Sequence, residues 1–140
     1  MLILDTNVVS ELMREHPRPE VLAWIDRQLT DDLYVTAVTE AEVRTGIAML
    51  PEGERRRGLS VAAARAFEVL FADRVLSFDS NAAQAYAAIA AARRASGHPI
   101  SQADCQIAAI ARSLGTSVAT RNVSDFEGCG IDVVNPWTDA

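Results

Sequence analysis

Four carboxylates and one carboxamide stand where chemistry on a charged substrate would want them. Asp5 directly follows the apolar run Leu2–Leu4, Glu42 lies in TEAEVRTG, Asp104 in SQADCQ, and Asn122 and Asp125 in TRNVSDF. Carboxylates gathered on one edge repel one another unless they are protonated or bridged by a cation, and a donor set made only of oxygen selects hard ions such as Mg²⁺ or Mn²⁺. Such an ion polarises a phosphate oxygen and lowers the pKa of a bound water. A pair of ions about 4 Å apart can hold both the attacking and the leaving oxygen of a phosphoryl transfer. The same residues have an ordinary structural reading. Thr39-x-x-Glu42 and Ser101-x-x-Asp104 both match the capping box that opens a helix, and Asp5 has the side chain of a plain N-cap. Spacing alone leaves both readings standing.

The elements that must position these residues alternate between short apolar runs and longer amphipathic stretches. Strands are expected at 2–4, 33–38, 74–78, 116–120 and 131–135. Helices are expected at 6–15, ending before Pro17 and Pro19, at 19–28, and at 39–50, where Val43, Ile47 and Leu50 share a face and Pro51 ends the run. Three more are expected at 53–72, at the alanine-rich 80–95 closed by Gly97, and from Ser101 to Leu114. Strands separated by helices imply an α/β domain with a mainly parallel sheet of five strands. Ligands of open parallel sheets bind beyond the carboxyl ends of the strands. Asp5, Asn122 and Asp125 follow strands directly, and Glu42 lies in the first turn of a helix that follows one. Asp104 follows no strand, so only the fold can bring it to the others.

The chain has 140 residues, enough for one domain, spanning 1–140, that buries roughly two-thirds of its unfolded surface. With 49% hydrophobic and 23% charged residues it is none of disordered, collagen-like or disulfide-built. All 13 basic residues are arginine, which excludes a Schiff base, a Walker-type phosphate lysine and a lysine general base. At a net charge of −6 the molecule as a whole repels nucleic acid, so phosphate binding needs local arginines or bound cations. Cys105 and Cys129 fit no metal or redox pattern, as expected of a reduced compartment. MLILDTN is too short in its apolar part for a leader, and no run approaches the ~20 apolar residues of a membrane span. A cytoplasmic protein is expected, with no membrane association.

LILDTNVVSEL, TAVTEAEVRTGIAML, ISQADCQIAAIA and VATRNVSDFEGCGIDVVNPW, in that order and across essentially the whole chain, resemble the PIN-domain ribonucleases, specifically the VapC/FitB-like toxins of bacterial toxin–antitoxin pairs. The resemblance implies a three-layer α/β/α fold and a Mg²⁺- or Mn²⁺-dependent endoribonuclease that leaves a 5′-phosphate and a 3′-hydroxyl. It implies a cognate antitoxin whose C-terminal segment brings basic residues to the acidic groove, contact with DNA only through that antitoxin, and a homodimer. Asp5, Glu42 and Asp104 fall on the family's metal-binding acids, and Thr6 on the position whose hydroxyl supports the site. Asp5 and Asp104 would hold the principal ion, and Glu42 would be a ligand or the acceptor of the water's proton. The family's fourth acid most often stands where this chain has Asn122. Asp125, on the same loop, is the candidate substitute, and Asn122 and Asp125 would orient water or a weaker second ion.

Other residues have two readings each. Arg55, Arg56 and Arg57 are an RNA-backbone patch or a solvated helix face, and Arg121 grips phosphate or pairs with an acid. His16 and His98, each beside a proline, lack partners at ligand spacing and are assigned nothing. Trp24, with Leu22 and Ile25, packs in the core or forms a stripe for an antitoxin helix. Cys105 is read as a small buried hydrophobe and Trp137 as a pin for the C-terminus. Among rivals, a receiver domain needs a lysine, a dehalogenase-type phosphatase needs Asp-x-Asp where Asp5-Thr6-Asn7 stands, and a dinucleotide fold needs G-x-G-x-x-G. A flap nuclease shares the fold but is larger and more basic. Asn122 favours one rival of another class, a catalytically weak PIN-like module that binds RNA, or an antitoxin in a DNA-bound repressor complex.

Overall fold

A computed structural model describes residues 1–139. Its five strands are β1 (Leu2–Leu4), β2 (Leu33–Thr36), β3 (Val75–Leu76), β4 (Ser117–Ala119) and β5 (Val133–Val134). They lie in the order β3-β2-β1-β4-β5 with every neighbouring pair parallel, so the expected mainly parallel sheet is wholly so. The helices are α1 (Thr6–Leu12), α2 (Pro19–Asp26), α3 (Ala37–Ala48), α4 (Glu54–Arg65), α5 (Ser80–Ala95) and α6 (Gln102–Leu114).

Successive strand residues face opposite ways, and here both faces are covered. Ile3 and Val118 pack with Ile89 of α5 and Ile107 and Ile110 of α6. Leu4, Val35 and Ala119 pack on the other side with Val8 and Val9 of α1, Trp24 of α2 and Val43 of α3. Two cores separated by one sheet make the three-layer α/β/α fold, and they explain why β1 and β4 carry apolar residues on both faces. Each fully buried Ile or Leu contributes about 1.5–3 kcal/mol. Trp24 is only 6% exposed, which settles its two readings in favour of the core. Among the described residues no helix is long and apolar enough to cross a membrane.

From β1 the chain winds outward through β2 to β3, then returns to β4 and β5 on the other side of β1. The winding therefore reverses between β1 and β4, and at such a point the connecting segments part and leave a crevice at the carboxyl ends of the strands.

Several boundaries differ from the sequence expectation, and one difference matters to the crevice. The second strand stops at Thr36, whose Oγ1 accepts the N–H of Thr39 at 3.1 Å. Thr36 thus caps α3, the helix begins at Ala37 rather than Thr39, and the expected Thr39–Glu42 capping box does not form. Glu42 consequently lies in the second turn, not the first, and its carboxylate has no capping duty. The first helix ends at Leu12 instead of residue 15. The expected helix 53–72 is α4 followed by a wider π-helical turn at Ala66–Leu70. Ser101 does cap α6 as expected, its Oγ accepting the Asp104 N–H at 3.2 Å. Gly115, at φ 65°, closes that helix in the left-handed conformation that favours glycine.

Candidate active site

Asp5 lies at the bottom of the crevice, 4% exposed, directly after β1. Its backbone N–H continues the sheet by donating to Ala119 O of β4 at 2.9 Å. Oδ1 accepts the N–H of Thr6 at 2.8 Å, making Asp5 the N-cap of α1. Oδ2 accepts the Thr120 hydroxyl at 2.8 Å and Asn7 Nδ2 at 3.2 Å. The capping reading of Asp5 therefore holds, and its second oxygen is held by Thr120 and Asn7. Burial pushes the carboxyl up from 3.8 to about 6, the bonds from Thr120 and Thr6 pull it down, and the charges of Asp104 and Glu42 push it up further.

Those last two charges come from elements far apart in sequence. Glu42 reaches the crevice from α3, where Thr6 Oγ1 donates to its Oε1 at 2.6 Å and lies 3.0 Å from the hydroxyl of Thr39. Asp104 reaches it from the first turn of α6. Burial raises the pKa of Asp104, as do the charges of Asp125 and Glu42, while Ser101 and Arg93 act in the opposite direction. Asp5, Glu42 and Asp104 thus form one electrostatic group, and Asp125 joins it through Asp104. Asn122 is tied by its backbone, its N–H donating to Thr120 Oγ1 at 3.1 Å. Its side chain makes no capping bond to the 3₁₀ turn Val123–Phe126 that it opens.

Three residues that sequence reasoning passed over hold this arrangement together. Thr120, fully buried, gives its proton to Asp5 and accepts from Asn7 Nδ2 at 3.1 Å as well as from Asn122 N. Asn7 bridges the two loops further, its Oδ1 accepting the Arg121 N–H at 3.2 Å. Both stood in motifs already singled out, DTN and ATRN, and their positions just past strand ends were the available signal. Arg93 of α5 left no such signal. Its guanidinium, 9% exposed, donates to His98 O at 2.6 Å and to Asp125 O and Glu127 O, each at 2.8 Å. It clamps the 122–129 segment to α5 and sets a positive charge beneath Asp104.

The donors available to a cation are carboxylate oxygens, which suits a hard divalent ion, and their crowding in a half-dry crevice favours any charge that offsets it. Among the described residues no three His, Cys, Asp or Glu side chains are gathered closely enough to clasp an ion as they stand. The donor set thus fits such an ion in the chemistry of its oxygens and in charge, without forming a ready-made cage.

The arginine run divides as adjacent helical residues must. Arg55 lines a groove of about 720 Å³ that runs from Thr6 and Glu42 past Ser10, Ile47 and Leu59, whereas Arg56 and Arg57 face a separate hollow with Glu52. Arg121 makes no ion pair among the described residues and lies over the Trp137 ring instead. His16 is exposed near Glu15, and His98 contributes its carbonyl to Arg93. Burial raises the Cys105 thiol to about 11, consistent with an inert apolar residue.

Residues 2–127 match the PIN domain family. Over 140 residues, with all of both chains covered, the sequence is 45% identical to the VapC ribonuclease Y4jK of Sinorhizobium fredii. It is 40% identical to the toxin FitB of Neisseria gonorrhoeae over 139 residues, which cover 99% of this chain and 100% of that one. The solved structure of FitAB bound to an IR36 DNA fragment superposes with a TM-score of 0.93 at 38% identity, covering 100% of this chain and 98% of that one. A β1–β4 crevice carrying Asp5, Glu42 and Asp104 and a match along nearly the whole sequence lead to one assignment: this chain belongs to the PIN-domain family.

Proposed function

We propose that this protein is the toxin of a toxin–antitoxin pair and that it hydrolyses RNA phosphodiester bonds with the help of Mg²⁺ or Mn²⁺. The observation that carries the reading is the state of Asp5, buried at the reversal point of the sheet and pushed up to about 6 with Asp104 and Glu42 acting on it. A buried carboxylate left in that state costs stability and is retained where its charge is used. The names of the relatives, a VapC ribonuclease and a FitB toxin, support the same class.

Asp5 and Asp104 would hold the cation, with Glu42 beside them, and when bound it would polarise the scissile phosphate and acidify a water. Thr120 and Asn7 keep Asp5 ionised and oriented, and Ser101 does so for Asp104. Glu42, exposed to solvent and aligned by the Thr6 hydroxyl, takes the proton of the attacking water as its oxygen bonds to phosphorus. The bond from phosphorus to the 3′ oxygen breaks, and that oxygen takes a proton from solvent, leaving a 5′-phosphate and a 3′-hydroxyl. Asn122 and Asp125 orient water at the outer side of the site.

An antitoxin with a basic C-terminal segment would fit the acidic crevice by charge. Contact with DNA would come through it, a reading supported by the similar FitAB, whose structure is of a complex bound to a DNA fragment. The protein would act in the cytoplasm, as a homodimer. Asn122 in place of a further acid favours a second reading, a catalytically weak module that works by binding. Cleavage of labelled RNA by the purified protein separates the two. Activity with Mn²⁺ that chelator abolishes and that Asp5→Asn and Asp104→Asn lose is the expected result. Full activity in either variant would sink the site assignment, and an inactive wild type that still captures its antitoxin would favour the module.

A further inference from the structure

We propose that Arg121, whose guanidinium lies over the Trp137 ring on the segment that follows β4, is a substrate-positioning residue that binds the phosphodiester backbone of single-stranded RNA next to the acidic site. The inference rests on the ribonuclease reading and adds to it a residue and a substrate form. Its first support is place. Arg121 follows Thr120, whose hydroxyl holds Asp5 Oδ2 at 2.8 Å, so its backbone adjoins the residue that anchors the deepest carboxylate of the site.

Its second support is fixation. The Arg121 N–H donates to Asn7 Oδ1 at 3.2 Å and its carbonyl accepts from Asn135 Nδ2 at 3.5 Å. Asn135 also fixes the platform, its Oδ1 accepting the Trp137 N–H at 2.9 Å. The guanidinium carbon lies 5.2 Å from the centre of the Trp137 ring, and that ring packs against the core that holds Leu4 and Trp24. An exposed arginine ordinarily loses much rotamer freedom when it grips a ligand. Here stacking has removed part of that freedom in advance, and the N–H groups at the rim of the plane remain able to bond phosphate.

Its third support is charge. Arg14, Arg18, Arg44 and Arg74 pair with carboxylates, and Arg93 is buried against carbonyls. Arg121 is exposed and, like Arg27, Arg55, Arg56, Arg57, Arg65, Arg94 and Arg112, makes no ion pair among the described residues, and of these it is the one that lies over an aromatic ring. Glu20, the acid that feels its charge, is already bonded by Arg18 at 3.0 Å. In a protein of net charge −6, an unneutralised guanidinium held over an aromatic ring on the segment that leaves β4 offers an anion contact next to the site loop. A cation joined to an aromatic face is the pairing that single-stranded nucleic acid is bound by.

The test compares wild type with Arg121→Ala, Arg121→Lys and Trp137→Phe on a short labelled single-stranded RNA with Mn²⁺, reading KM, kcat and their salt dependence. Arg121→Ala is expected to raise KM about tenfold with kcat nearly unchanged, and to flatten the slope of log KM against log salt by about 0.7, the value for one phosphate on a single strand. Arg121→Lys should fall between, since it keeps the charge and loses the plane. The Mn²⁺-induced rise in melting temperature should be the same in all four proteins. An unchanged KM and slope in Arg121→Ala would overturn the proposal. So would a lost Mn²⁺ shift, which would mark Arg121 as structural, or a loss confined to antitoxin capture, which would assign it to the protein partner. If wild type cleaves nothing, the ribonuclease reading fails separately, and fluorescence anisotropy of the same RNA still decides whether Arg121 binds it.

Discussion

The hydroxyl of Thr120 donates to Asp5 Oδ2 at 2.8 Å across the junction of β1 and β4. It joins residues 115 positions apart in the chain and lowers the pKa of a carboxyl that burial drives up. In Thr120→Val a methyl of nearly the same shape replaces the hydroxyl but cannot donate, so Asp5 should hold its proton to higher pH. The pH at which Mn²⁺ raises the melting temperature by half its full effect should move up by about one unit. A midpoint that stays in place would mean that Thr120 is only a spacer.

Asp5 also makes the metal-free fold depend on pH. Its pKa is about 6 when folded against a reference of 3.8, so the native state binds the proton more tightly than the unfolded chain. The contribution to stability is therefore greatest below pH 4, falls as pH rises from 4 to 6, and above that leaves a deficit on the order of 3 kcal/mol. Asp5→Asn removes the charge, although its amide nitrogen must face the donor of Asn7. The variant should be more stable than wild type by roughly 1–2 kcal/mol at pH 7.5 in chelator. That advantage should vanish below pH 4 and reverse when Mn²⁺ is added. Urea titrations at the two pH values check this, and a variant less stable throughout would contradict it.

Removing the Arg93 guanidinium leaves the carbonyls of His98, Asp125 and Glu127 without their donor. Arg93→Met, close in length and apolar, should cost about 2–4 kcal/mol in urea unfolding. Hydrogen exchange should quicken at 122–129 while the amides of β1 stay protected. Uniform exchange changes would show that the side chain supports the core and not the loop.

Asn122→Asp adds a carboxylate to the loop whose backbone is already fixed by Thr120. The Mn²⁺ concentration needed for half-maximal protection against melting should fall several-fold, and the metal-free protein should lose a few tenths of a kcal/mol through added repulsion. An unchanged metal requirement would place residue 122 outside the ion's reach.

The parallel sheet and its alternating helices could be read from the chain because strands and helices announce themselves locally, whereas the three layers and the grouping of the three acids came from the family resemblance. Asp5 and Ser101 were legible as caps, and the fold bears both out while bringing Asp5, Glu42 and Asp104 within electrostatic reach of one another. What the sequence hid was competition and distance. Thr36 and Thr39 offer the same hydroxyl, and a short strand ending at residue 36 let the earlier one cap α3, which released Glu42 to Thr6. Arg93 looked like any arginine near the end of an alanine-rich helix, since the carbonyls that bury it belong to a segment more than 30 residues further on. Arg121 had two drawn partners, phosphate or an acid, and the Trp137 ring it lies on was read only as a pin for the C-terminus.

The position of β1 between β2 and β4 also orders events during synthesis. The first strand made is the middle strand of the sheet, and one of its edges has no partner until residues 117–119 have left the ribosome. At about 5–20 residues per second, the residues between Asp5 and Thr120 take on the order of 5–25 s to appear. Throughout that interval Asp5 lacks Thr120, and for most of it Asp104 as well, so the acidic site is incomplete for most of the chain's time on the ribosome. The crevice is assembled only near the end of translation, when a partner waiting nearby can meet it as it forms.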